Sequence, residues 1–274
     1  MKKTLLAEIN SALEMVRKNN PLAPSITNTV TINFVANAQL ACGGSAAMVY
    51  LADEGEMMAK ISKSMYINMG TQFTCYPETL PRTAKACLEN GNNWVLDPVG
   101  IGIGEQRENI LKQFKNYKPK IVRANASEVI ALASLWELTE KSENKVRGVD
   151  STDEVISAKK SAEAIAKFTG GAVAVSGKTD LVTDGTTTVL CNGGSEFLPM
   201  ITGAGCSLGG VCAVYANVTN PFYAALTATV LYNEASMNAE KISKGPGTFQ
   251  SNFLDQIYSV SKNGIKDSNL EIIK

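Results

Sequence analysis

The sequence predicts an α/β fold with a mainly parallel central sheet flanked by helices, and three observations carry that prediction. Short apolar runs alternate with longer amphipathic stretches, the rhythm of repeating βα units. At 274 residues the chain can bury a substantial core while staying at the upper edge of one domain. No linker, repeat or low-complexity block divides it, so residues 1–274 read as a single domain.

The elements follow in order. In "MKKTLLAEINSALEMVRKNN", Leu5, Ile9, Leu13 and Val16 fall on one helical face. Charges at Glu8, Glu14, Arg17 and Lys18 interrupt the apolar segment a secretory leader needs, so this stretch predicts a helix. The runs 46–50, 65–69, 94–99, 120–124 and 172–176 read as buried strands separated by helix-patterned segments. "DLVTDGTTTVLCNGG" breaks the rhythm. Two β-rich runs meet at Asp184-Gly185, a favourable hairpin turn, which predicts an antiparallel edge. From Gly203 onward the chain reads as helices.

Charge and composition exclude several classes. Lys plus Arg total 26, as do Asp plus Glu, so no global field attracts nucleic acid or an anionic membrane, and a small-molecule partner is expected. The six cysteines are scattered through apolar stretches without a CxxC pair, which predicts reduced thiols in a cytoplasmic protein. No histidine occurs, which removes Ser-His-Asp and Cys-His catalysis and His-bearing zinc sites. Acids, bases and metal ligands must come from Asp, Glu, Cys, Lys or Tyr.

In an open parallel sheet, ligands gather at the carboxyl ends of the strands. Asp97 closes "WVLD", Asn125 and Glu128 follow "KIVRA", and Ser176 follows "AVAV". Two motifs fail on counting. "GGAVAVSGKT" has five residues between Gly171 and Gly177, one too many for a phosphate loop, and those residues are the strand itself. "GIGIG" (100–104) lacks the third glycine of a dinucleotide fingerprint, because Glu105 stands there, and reads as a flexible turn near Asp97.

"NASE" (125–128) matches a helix capping box, and an Asp before Pro is ordinarily a turn former. Their joint position beside an anion-binding turn gives Asp97 and Glu128 a second reading, as carboxylates that hold Mg²⁺ together with phosphate oxygens. That turn is "TGAGC" (202–206). Gly203 and Gly205 let backbone N–H groups converge where the next helix presents its positive end, which suits a phosphate. The competing explanation is a glycine turn that opens a tightly packed helix, since Gly209, Gly210 and Ala213 continue the small-residue pattern.

Taken together, "ITNTVTINFVANAQLACGGSAAM" (26–48), "NMGT" (68–71), "DPVG" (97–100), "RANASEV" (123–129), "SGKTD" (176–180) and "TGAGCSLGG" (202–210) resemble, in order, the ribokinase-like superfamily and within it the hydroxyethylthiazole kinases. The resemblance implies transfer of the ATP γ-phosphate to the alcohol of 4-methyl-5-(2-hydroxyethyl)thiazole, in thiamine biosynthesis or salvage. It further implies Asp97 and Glu128 as magnesium-associated acids, and Arg123 and Ser176 as nucleotide contacts. Met48 and Gly203 match thiazole-contacting positions, with Asn28 a candidate for the hydroxyethyl arm. Gly203, Ala204 and Gly205 match the anion hole, and Cys206 stands at the catalytic-base position, where related sugar kinases carry Asp. A homotrimer with substrate sites at subunit contacts is implied as well, in keeping with the long sequence separation of Asn28 and Met48 from the phosphate turn.

Two departures accompany the match: Pro24 and Ser25 stand where the family usually has His, and "GGSAAM", around Ala46, lacks the Pro common before the Met. A thiol at the base position is acceptable, because phosphoryl transfer asks more of positioning and charge neutralisation than of a strong base. A helix N-terminus is expected to draw its pKa toward neutrality, with nucleotide phosphates pushing it back. The alternatives at this stage are a hydroxymethylpyrimidine kinase, a nucleotide-hydrate dehydratase that uses the same anion hole, or a non-catalytic thiazole or nucleotide sensor.

Overall fold

The computed structural model describes residues 2–139 and 151–273, with only the backbone described for 151–154. Its elements are α1 (Lys2–Asn19), β1 (Leu22–Ile26), α2 (Ile32–Ala41), β2 (Ser45–Met48), α3 (Ala52–Ile61), β3 (Tyr66–Asn68), α4 (Tyr76–Glu89), β4 (Val95–Asp97), α5 (Glu105–Tyr117) and β5 (Ile121–Asn125). There follow α6 (Ala126–Leu135), α7 (Ser151–Thr169), β6 (Ala172–Ser176), β7 (Thr179–Thr183), β8 (Thr188–Asn192), α8 (Ala204–Tyr215), α9 (Pro221–Ile242), α10 (Pro246–Asn263) and β9 (Asn269–Ile273).

The strands form one nine-stranded sheet in the order β2-β1-β3-β4-β5-β6-β7-β8-β9. Strands β1 to β6 pair in parallel, and β7, β8 and β9 are added antiparallel. Alternation along each strand sends side chains to two separate cores. Val95 and Ile121 join α1, α2, α8, α9 and α10 on one face, while Leu96 and Val122 join α3 to α7 on the other. The resulting helix–sheet–helix layering is what the alternating pattern predicts.

Local chemistry sets the ends. Leu5, Ile9, Leu13 and Val16 are buried on one face of α1, as their spacing predicts. The hairpin between β7 and β8 turns at Asp184-Gly185, where Asp184 Oδ1 accepts the N–H groups of Thr186 and Thr187 and Gly185 takes φ +87°.

Two strands were not anticipated. β1 contains Pro24 and Ser25 and lacks an apolar run, yet Pro24 fits because it precedes Ser25, where the pairing with β3 begins. β9 follows a long helical stretch and moves the antiparallel edge one strand beyond the hairpin. The turn at 100–104 is also less free than its glycines suggest. Arg107 donates to the carbonyls of Ile103, Met69 and Gly70, and so ties it to the loop after β3.

Candidate active site

The carboxyl ends of the parallel strands bring the sequence-predicted polar residues together. Asn68 and Asp97 are register partners at the ends of β3 and β4, and Asn125 and Ser176 are partners at the ends of β5 and β6. Between these pairs lies Arg123, whose Nη1 sits 3.5 Å from Asp97 Oδ2 and whose Nη2 donates to Ser176 Oγ at 2.9 Å. The Asp97 side chain is fully buried and that of Arg123 is 11% exposed. Desolving such a pair costs several kcal/mol per ion, so a pair kept here points to a role beyond stability.

Burial pushes the Asp97 carboxyl up to about 6, against the pull of Arg123 and with a further push from Glu128. For Arg123, burial opposes the charge, but Asp97, Cys206 and Glu128 outweigh it and hold the guanidinium protonated. Asp97 Oδ2 accepts from the Tyr66 hydroxyl at 3.0 Å, whereas Asp97 Oδ1 is buried with no hydrogen-bond partner. An orphaned carboxylate oxygen with a second carboxylate close enough to repel it suits a divalent cation. Among the described residues no three His, Cys, Asp or Glu cluster as metal ligands.

Glu128 is also a capping residue, as its spacing predicts. Its Oε2 accepts the Asn125 N–H at 3.0 Å, and Asn125 Oδ1 accepts the Glu128 N–H at 2.9 Å. The box engages Glu128 through Oε2, and the carboxylate charge still acts on Asp97.

Gly203 opens α8 with φ +95° and provides no side-chain cap, so the first N–H groups of the helix are left for a ligand. A Cβ at Gly203 would fall 3.0 Å from Thr31, and one at Gly205 would fall 2.5 Å from Arg123 Nη1. Glycine at 205 thus lets the guanidinium lie against the start of the helix. Two positive features, a cation and a helix N-terminus, face each other there, an arrangement that an anion between them would relieve.

Cys206, half-buried in the first turn of α8, accepts from Asn28 Nδ2 at 3.5 Å. The expected drift of its pKa toward neutrality is overturned: burial and then Asp97 raise the thiol above its ordinary value, and Arg123 only partly offsets them. Asn28 and the 203–206 turn also meet inside one chain, so that pair needs no second subunit. Met48, by contrast, ends the edge strand β2, paired with Ser25.

Beside Arg123 and Gly205 opens a cavity of about 1000 Å³, bordered by Ser176, Lys178, Asp180 and Asn192. That volume matches a nucleotide-sized ligand. Asp180 Oδ1 accepts the Gly177 N–H, and burial pushes its carboxyl up to about 6. Asp180, Tyr66 and Asn68 were not singled out from the sequence. The usable signal was their position: Asn68 ends a strand, and Asp180 follows the "SGKT" turn.

Comparison with known proteins bears on the family and the fold. Residues 13–263 match the model of the Hydroxyethylthiazole kinase family. A hydroxyethylthiazole kinase from Bifidobacterium adolescentis is 48% identical over 278 residues, covering 97% of this chain and 95% of the relative. One from Cereibacter sphaeroides is 38% identical over 249 residues, covering 91% and 92%. The solved structure of a hydroxyethylthiazole kinase protein from Pyrococcus horikoshii OT3 superposes with a TM-score of 0.86 at 30% identity, covering 97% of this chain and 99% of that one. A ribokinase-like superfamily protein from Enterococcus faecalis, with a TM-score of 0.64 at 12% identity, covers 93% and 94% and shares the fold. The fold is ribokinase-like, the pyrimidine kinase, dehydratase and sensor alternatives are not favoured, and the chain belongs to the hydroxyethylthiazole kinase family.

Proposed function

We propose that this protein transfers the γ-phosphoryl group of ATP to the hydroxyl of 4-methyl-5-(2-hydroxyethyl)thiazole, acting as one kinase domain over residues 1–274 in the cytoplasm. The observation that carries the reading is the meeting of Asp97, Arg123, Asn28 and Cys206 at the uncapped start of α8, beside a nucleotide-sized cavity. Arg123 and Ser176 hold nucleotide phosphates at the mouth of that cavity. The N–H groups of Gly203, Ala204 and Gly205 surround the phosphoryl group in transit, where fixed donors stabilise the charge that spreads over its oxygens. Asp97 and Glu128 would hold Mg²⁺, which supplies charge neutralisation on the terminal phosphates when bound.

The acceptor lies on the Asn28 side of the turn. Its thiazole ring is held by Met48 and Gly203, and its hydroxyethyl arm ends between Asn28 and Cys206. Cys206, as the thiolate, then takes the alcohol proton as the oxygen bonds to phosphorus and the bond from phosphorus to the departing ADP oxygen breaks. Only the thiolate form can do this, and a small thiolate fraction suffices because the proton leaves late in a loose transition state. Assembly as a homotrimer would bring a neighbouring subunit to Met48 on its edge strand.

The test is an ATP-to-ADP assay with magnesium across a panel of alcohols that includes the thiazole alcohol and hydroxymethylpyrimidine. The thiazole alcohol is expected to give the highest kcat/KM. ADP formation that ignores the acceptor, or a preference for the pyrimidine, would sink the reading. Sedimentation that finds an active monomer would remove the trimer.

A further inference from the structure

A line of buried polar groups joins the carboxylate side of the site to the thiol side: three donors in succession point toward the carboxylate, and the last amide also donates to the thiol. Tyr66 donates to Asp97 Oδ2 at 3.0 Å, and Asn68 Nδ2 donates to the Tyr66 hydroxyl oxygen at 2.9 Å. Asn28 Nδ2 donates to Asn68 Oδ1 at 2.9 Å and to Cys206 Sγ at 3.5 Å. Tyr66 and Asn68 are 0% exposed and Asn28 is 5% exposed, so water does not complete these groups.

Each carboxamide has two orientations half a turn apart, and chemistry at the far end selects one. An ionised carboxylate only accepts hydrogen bonds, so the single Tyr66 proton goes to Asp97 and its oxygen is left to accept. That oxygen requires the N–H₂ end of Asn68, which turns Asn68 Oδ1 toward the Gly70 N–H, 2.9 Å away, and toward Asn28. Asn28 must then present its own N–H₂ end, and the second hydrogen reaches Cys206. A reversed Asn28 amide would set a carbonyl oxygen against the sulfur, repelling the negative charge of the thiolate that takes the alcohol proton.

Packing fixes the same arrangement. A Cβ at Gly209 would fall 2.5 Å from Tyr66 Cε2, so α8 is seated directly on the Tyr66 ring. A Cβ at Gly70 would fall 2.7 Å from Asn28 Cβ and 2.8 Å from both Asn28 Nδ2 and Asn68 Oδ1.

We infer that Asn68, held by Tyr66 and Gly70, is a positioning residue that locks the Asn28 amide with its N–H toward Cys206. It touches neither substrate, and it acts through Asn28. The inference rests on the functional reading above for what Cys206 does.

Its test is a double-mutant cycle in acceptor turnover at saturating ATP, run with whichever alcohol the panel identifies, so that a wrong choice of thiazole leaves the cycle intact. Asn68→Ala is expected to lower kcat by about 10–10²-fold, the scale of a misplaced reacting group, with the nucleotide KM unchanged. In an Asn28→Ala background the same substitution should cost less than about twofold, because the residue it positions is gone. Gly70→Ala, which crowds the same two amides without removing a buried side chain, should show the same loss of kcat with the nucleotide KM unchanged, and it decides the matter if Asn68→Ala does not fold. Equal losses in the presence and absence of the Asn28 amide, or an altered nucleotide KM in place of an altered kcat, would overturn the inference.

Discussion

Asn28 Nδ2 and Cys206 Sγ lie 3.5 Å apart although 178 residues separate them. The contact joins the loop after β1 to the first turn of α8, which makes the thiol part of a polar site and distinguishes it from the packed thiols of Cys42 and Cys212. If Cys206 takes the alcohol proton, Cys206→Ala should lower kcat by about 10²–10⁴-fold with little change in nucleotide affinity. Cys206→Ser should resemble Ala, because a hydroxyl is a poor base, and Cys206→Asp should stay active. Wild-type rates for all three would reduce the thiol to packing.

The pH profile adds a sign. Burial and Asp97 raise the Cys206 thiol, so its basic form grows as pH rises above neutrality, and wild-type kcat should climb between about pH 7 and 9. Cys206→Asp should flatten that limb. An ionisation near pH 6 belongs to a carboxylate, since burial pushes Asp97 up to about 6. A wild-type profile flat above pH 7 would contradict the assignment.

Glu128 allows its two roles to be separated. Glu128→Gln keeps an acceptor for the Asn125 N–H and so keeps the capping box, but it removes the charge beside Asp97. It should melt like the wild type yet need roughly tenfold more magnesium for half-maximal turnover. Asp97→Ala should weaken magnesium-dependent turnover further while the protein remains folded. An unchanged magnesium titration for both variants would leave capping and ion pairing as their whole function.

Gly205→Ala tests the phosphate side. The added methyl would meet Arg123 Nη1 at 2.5 Å and Nη2 at 2.7 Å, forcing the guanidinium away from Ser176. The nucleotide KM should rise about tenfold or more, with a smaller effect on acceptor KM. Steady-state kinetics with each substrate varied in turn gives the answer, and an unchanged nucleotide KM would place Arg123 outside the phosphate contacts.

Asp180 gives a stability prediction. Burial pushes its carboxyl up to about 6, so between about pH 4 and 6 the folded chain binds its proton more tightly than the unfolded chain. Its contribution is complete below that window and is lost as pH rises through about 6. Asp180→Asn can still accept the Gly177 N–H and carries no charge, so it should be more stable than the wild type at pH 7 by about 1–2 kcal/mol. Urea unfolding at pH 4 and pH 7 should show the gain at pH 7 alone.

Much of this site was legible before any coordinates, because a parallel sheet converts strand ends into positions around a cleft. Asp97 and Ser176 were placed by that rule, Arg123 came from the family resemblance, and the three do meet. Tyr66 and Asn68 were hidden inside "MYINM", where an apolar run masks the fact that the strand stops at Asn68 and turns it toward its neighbours. No spacing rule announces a hydrogen bond between residues 40 positions apart, such as that between Asn28 and Asn68. β1 escaped because its five residues carry a proline and a serine, and β9 because its period-2 pattern is short and follows three helices.

The last strand has a consequence for how the molecule tolerates shortening. β9 covers the outer edge of β8 over Thr188–Asn192, and β8 in turn carries Asn192, which borders the nucleotide-sized cavity. A chain cut before residue 269 would leave a row of unpaired amides and carbonyls along β8, flanked by the apolar Val189, Leu190 and Cys191. Such a bare margin readily recruits a strand from another molecule. The five residues of β9 therefore guard solubility by pairing with the same strand that helps to shape the cavity wall.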